Sequence, residues 1–160
     1  MKNTLIIAAL TILTFQVQAD EEKKACTAAD LNGDYVMFQA AVNRPELNHT
    51  GRCDINVTDG ELSGSCEFGR NVSGNPNFHG PVYGDATINT NCSVEMTISF
   101  DPDSDGDGQP GPLHIDSTFD LQLAQDKNTF VGSFINTFGV EGITNGTKVG
   151  AMLPATAAGK

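Results

Sequence analysis

Basic residues are scarce in this chain: 9 Lys and Arg stand against 20 Asp and Glu in 160 residues. Phosphate backbones and anionic bilayers are held by clustered Lys and Arg, so the charge balance argues against nucleic acid and membrane surfaces as partners. Long apolar runs are missing beyond residue 15, so no later segment reaches the ~20 residues that a spanning helix requires. No two cysteines have C-x-x-C spacing and no two of the three histidines (His49, His79, His114) are spaced as a metal pair, which argues against a zinc site. G-x-S-x-G is absent, and the cysteines read better as disulfides than as a thiol nucleophile, so the chain is not expected to be an enzyme. Helical blocks of Ala, Leu, Glu and Lys are also lacking, and with them the crossover helices that a parallel sheet would need.

What is present begins with an export signal. Lys2 precedes an apolar stretch over 5–15, and Val17-Gln18-Ala19 places small residues where a signal peptidase reads. Cleavage is expected after Ala19, giving a periplasmic or extracellular protein. No cysteine follows the stretch closely, so a lipid-modified N-terminus is not expected. Losing Lys2 with the leader leaves 8 basic against 20 acidic residues, a net charge of −12 that favours solubility. The remainder divides into a lead-in over 20–30, one β domain over 31–153 and a flexible tail over 154–160.

Eight strand-like runs recur at 35–42, 50–58, 61–68, 82–89, 92–100, 113–124, 129–137 and 147–153, separated by Gly-, Asn- and Asp-rich connections. Two connections are longer, 69–81 and 101–112. Asp59-Gly60 is a two-residue turn signal, because a type I′ turn needs positive φ at both central residues. That turn sets a register in which Thr58 faces Glu61, Val57 faces Leu62 and Cys53 faces Cys66. The cysteines then fall at a non-hydrogen-bonded pair, where Cα atoms approach to ~4.5 Å, within disulfide range. An even cysteine count in an exported chain reads as two disulfides, so a Cys53–Cys66 bond leaves Cys26 to Cys92.

Apolar and polar residues alternate along the other strands: Cys92, Val94, Met96, Ile98 and Phe100 on one face, Ser93, Glu95, Thr97 and Ser99 on the other. Sequential antiparallel strands with one apolar face predict an all-β fold, an eight-stranded up-and-down barrel closed on itself. A β-sandwich is the alternative.

The segment Leu31-Asn32-Gly33-Asp34-Tyr35 resembles the opening strand of avidin and lipocalin-like barrels. Residues 55–66, with their Asp-Gly hairpin, resemble the second and third strands of avidins, and Phe130-Val131-Gly132-Ser133-Phe134 is similar to the seventh. The resemblance spans most of the mature chain and implies the barrel fold. Avidins build their biotin site from several tryptophans, and this chain has none, so the resemblance implies no biotin-binding residue here.

Two sets of residues carry candidate chemistry. Asp101, Asp103, Asp105 and Asp107 alternate in a D-x-D-x-D-G pattern, with Gly106 at the sharp turn, and oxygen ligands so spaced converge on calcium. Pro112 stands where an EF-hand has its bidentate Glu, so Asp116 is the candidate late ligand. Inside the barrel, the expected ligand walls are Met37, Ile55, Val57, Met96, Ile98, Phe119 and Phe134, together with Leu62 and Leu121; the small inward residues Gly64, Gly84 and Ala86 are expected to leave space beside them. The expected function is a secreted non-catalytic barrel that binds a small, largely apolar ligand. The alternative is a protein-interaction module, such as a protease inhibitor or surface-associated factor, working through its long loops.

Overall fold

The computed structural model describes residues 25–70, 78–103 and 107–150. The expected leader and tail, and the middle of the 69–81 connection, lie outside the described residues. Asp59 and Gly60 both hold positive φ, at 53° and 91°, as the turn requires. They join β2 (His49–Thr58) to β3 (Glu61–Arg70) in the expected register, with Val57 opposite Leu62 and Cys53 opposite Cys66. Both disulfides are present with the expected connectivity, and their Cα separations are 4.0 Å for Cys53–Cys66 and 5.1 Å for Cys26–Cys92.

The other strands are β1 (Gly33–Ala41), β4 (Phe78–Ile88), β5 (Ser93–Phe100), β6 (Ile115–Leu123), β7 (Thr129–Asn136) and β8 (Glu141–Val149). Each pairs antiparallel with the next, and β1 also pairs with β8, so the sheet is a closed eight-stranded up-and-down barrel and not a sandwich. Closure pairs every strand on both sides and leaves no edge as a template for aggregation. Among the described residues no helix is long and apolar enough to cross a membrane.

Most expected bounds shift by one or two residues, and those of the last and fourth strands by more. The last strand runs over Glu141–Val149, not 147–153, and residues 151–153 lie outside the described residues. Its inward positions are Gly142, Thr144 and Gly146, so it carries no apolar alternation to read. Phe130 compensates: its ring lies where a Cβ on Gly146 would sit, so the aromatic side chain of β7 fills the volume that β8 lacks. The fourth strand starts at Phe78, four residues before the expected start at Val82, because Gly80-Pro81 reads as a turn but is accommodated within β4. The sixth starts at Ile115 and not at Leu113.

The barrel's ends differ. At the end holding the Asp59-Gly60 turn, the inward residues Tyr35, Val57, Val94, Met96, Leu121 and Phe130 are almost wholly buried and fill the interior. Burying a side chain of this size contributes about 1.5–3 kcal/mol. A four-residue helix, α1 (Ala28–Leu31), closes this end over them, an element that the lead-in gave no reason to expect. The Asp30 carboxylate accepts from the Thr27 N–H (2.8 Å) and hydroxyl (3.0 Å), which fixes the helix start and lowers its pKa. Leu31 points inward, and the buried Tyr35 hydroxyl donates to its carbonyl at 2.8 Å. Lys148 Nζ donates to the Asp30 carbonyl at 2.7 Å, and the Cys26–Cys92 bond ties the segment to the turn before β5.

Candidate functional site

The packing ends halfway along the barrel. Beyond it lies a cavity of about 250 Å³ that opens between the β1–β2 connection and the β7–β8 connection, at the end opposite α1. Its floor is one ring of inward positions: Met37 of β1, the Cys53–Cys66 disulfide across β2 and β3, Ile98 of β5, Phe119 of β6 and Phe134 of β7. Phe119 and Phe134 face each other across the β6–β7 pair with ring centroids 5.5 Å apart.

The next ring toward solvent is aromatic. Phe68 stands over Gly51, whose missing side chain makes room for it, and packs edge-on against Phe100 at 4.9 Å. Phe78 lies opposite Phe68 in the β3–β4 register. Among the described residues the mouth is framed by Glu46, Leu47, Asn48 and His49 on one side and by Phe138 on the other; Leu47 and Phe138 are exposed apolar side chains.

Polar groups in the wall fall into two kinds. The carboxamide oxygen of Asn48 accepts from the Arg44 N–H, His49 Nδ1 bonds the Leu47 carbonyl, and the Asn136 oxygen accepts from the N–H groups of Phe138 and Val140. These three hold the rim loops in shape. Gln39 is different: it faces inward at the next inward position after Met37, is only 9% exposed, and its side-chain amide has no hydrogen-bond partner among the described residues, whereas Ser117, the other inward polar residue without one, is only partly buried. Among the described lining residues, Glu46 is the one carboxylate, and none is Lys or Arg.

Of the expected wall residues, Met37, Ile98, Phe119 and Phe134 line this cavity, whereas Ile55, Val57 and Met96 lie in the filled half, as do Leu62 and Leu121. Gly64, Gly84 and Ala86 are not beside the cavity either. The aromatic ring of Phe68, Phe78 and Phe100, and Gln39 among the polar groups, are the residues sequence reasoning missed. Parity places Gln39 inward in step with Tyr35 and Met37, and Phe68 in step with Cys66, as it places Phe100; Phe78 falls in an expected connection, and parity alone does not say which inward residues border the cavity.

The acidic residues of the expected calcium loop separate into two groups. Asp101 and Asp116 lie on the outer wall, held apart by His114, whose Nδ1 bonds Asp101 and whose Nε2 is 3.0 Å from Asp116. Tyr83 donates to Asp101 at 3.1 Å and Ser99 to Asp116 at 2.7 Å, extending the chain across β4, β5 and β6. The Asp101 contact is the main cause that raises the pKa of His114, and the Ser99 hydroxyl is the main cause that lowers that of Asp116. Asp103, by contrast, is buried: its N–H donates to the His79 carbonyl, and its carboxylate accepts from the Gly108 N–H, both at 2.8 Å. The Asp107 carboxylate accepts from the Gln109 N–H at 2.8 Å. Asp105 lies outside the described residues, and among those described no three acidic, His or Cys side chains gather as a metal site. A cation joining Asp101 to Asp116 would have to displace His114.

No protein-family model matches this chain, and no curated protein or solved structure matches it.

Proposed function

We propose that the protein is a non-catalytic binding barrel that admits a small, largely apolar ligand through its open end. The observation that carries this reading is the asymmetry of the interior: one half is filled and plugged by α1, while the other holds a cavity of about 250 Å³ walled mainly by phenylalanine and aliphatic side chains. An engineered apolar cavity of about 150 Å³ binds benzene, so this volume is sufficient for a ligand of one or two rings. Ligand pockets are commonly apolar with a few placed polar groups, and this wall has that composition. The non-catalytic reading draws on Asn48, His49 and Asn136, whose polar atoms bond the backbone of the rim.

The test is a fluorescence titration with 6-propionyl-2-(dimethylamino)naphthalene, an uncharged two-ring dye that brightens in apolar surroundings. Wild-type protein is expected to bind it saturably. Ser117→Trp, which inserts an indole from the inward face of β6 at the cavity wall, is expected to abolish the signal without unfolding the barrel. A wild-type protein that leaves the dye dark, or a Trp variant that binds as well, would sink the reading.

The alternative is a protein-interaction module, expected to work through its long loops, parts of which lie outside the described residues; what favours it is instead an apolar patch on the outer wall. Phe38, Val131, Ile135 and Ile143 of β1, β7 and β8 are each about half exposed or more. That surface does not involve the cavity, so a protein partner retained in full by Ser117→Trp would point to it.

A further inference from the structure

Resting on the binding reading above, we infer that the cavity's ligand is an uncharged molecule with a flat ring body and one hydroxyl or carbonyl group, and that Gln39 is the residue which receives that group. The ring body follows from the wall. Phe68, Phe78, Phe100, Phe119, Phe134 and Phe138 supply flat apolar surface from floor to mouth, and aromatic side chains pair with other rings edge-on or offset.

The polar group follows from Gln39. A buried amide without a partner is unfavourable, because it has left water and gained no replacement bond. Its parity places it on the inward face between Met37 and Ala41, on the cavity wall. The primary amide offers an N–H donor and a carbonyl acceptor, and a hydroxyl or a carbonyl satisfies one or both. The neighbouring inward polar group does not use it: the Thr144 hydroxyl donates to the Phe38 carbonyl at 2.9 Å.

The absence of charge follows from the electrostatics. A carboxylate carried to this depth would lose its hydration and meet no Lys or Arg among the described lining residues, whose one imidazole, His49, sits at the rim with Nδ1 on the Leu47 carbonyl; Glu46 at the rim and a net charge of −11 repel it. An ammonium group would suit Glu46, but that side chain is exposed at the mouth, whereas the buried polar group is a neutral amide.

Four probes with one ring body separate these possibilities at pH 7: naphthalene, 2-naphthol, 2-naphthoate and 2-naphthylmethylammonium. 2-Naphthol is expected to bind about tenfold more tightly than naphthalene, the worth of one well-placed hydrogen bond, and more tightly than either ion. Gln39→Leu has nearly the same volume and is expected to bind naphthalene and 2-naphthol alike. Without ligand, the same variant is expected to melt about 3 °C higher than wild type, because an unpartnered amide has been removed. Naphthalene binding as tightly as 2-naphthol in the wild type would overturn the inference while leaving the binding reading intact. The same holds if an ion binds best, if Gln39→Leu keeps the preference, or if its melting temperature falls. If none of the four binds and the dye also stays dark, both fail; if the dye alone binds, only the inference fails.

Discussion

His114 bonds a carboxylate through each ring nitrogen, and only the imidazolium has two N–H groups to give. The bridge between Asp101 and Asp116 is therefore complete only when His114 is protonated. Its raised pKa means the contribution is fully present below the unfolded value of about 6.5 and is lost as pH climbs through the higher folded value. Asp116 works in the opposite sense: its pKa is lowered, so its contribution is present above the unfolded value of about 4 and disappears as pH falls through the folded one. Melting temperature is expected to be highest between about pH 4 and pH 6.5 and to decline above that window. His114→Ala is expected to flatten the alkaline limb, and added salt to weaken it, since the groups are solvent-exposed. A wild-type curve that stays level through that limb would show that the bridge contributes nothing. At Gly146 the constraint is steric. Any side chain there meets the Phe130 ring, and Gly146→Val is expected to cost about 1–3 kcal/mol in a urea titration.

Elements differ in how openly they announce themselves. The β2–β3 hairpin was readable to the residue, because turn chemistry at Asp59-Gly60, the apolar face of Cys53, Ile55 and Val57, and cysteine pairing all demand one register. β8 was not, because its contribution to the interior is the room it leaves for Phe130 and Phe134, and an absence of side chain has no hydrophobic pattern. α1 escaped for another reason. Four residues are too few for helical periodicity, and the helix persists through the Thr27–Asp30 bonds, the Leu31 contact and the Cys26–Cys92 link. Removing that link with Cys26→Ala and Cys92→Ala together is expected to cost about 4 kcal/mol of unfolding free energy in a urea titration, from the long loop it closes in the unfolded chain. A loss of only about 1 kcal/mol would instead mean that the unfolded chain is already compact enough to bring the two ends together.

On the scale of the whole molecule, strand number, direction and an inward apolar face were legible, and closure followed from them as the arrangement without exposed edges. Which half of the interior is hollow was not. Ile55, Val57 and Met96 have the same alternation and chemistry as Met37, Ile98 and Phe119; they differ in their height along the barrel axis relative to α1. That height depends on long-range register and on where the plug sits, neither of which a local pattern contains. The same height places the Cys53–Cys66 sulfurs on the chamber floor, both within the cavity wall. Among the described residues the chamber reaches that bond from its open end, along the route a guest would occupy. Under the proposed binding role, a molecule seated above the floor would shield the cross-link beneath it, so that loading the barrel would slow reduction of Cys53–Cys66 by a dissolved thiol.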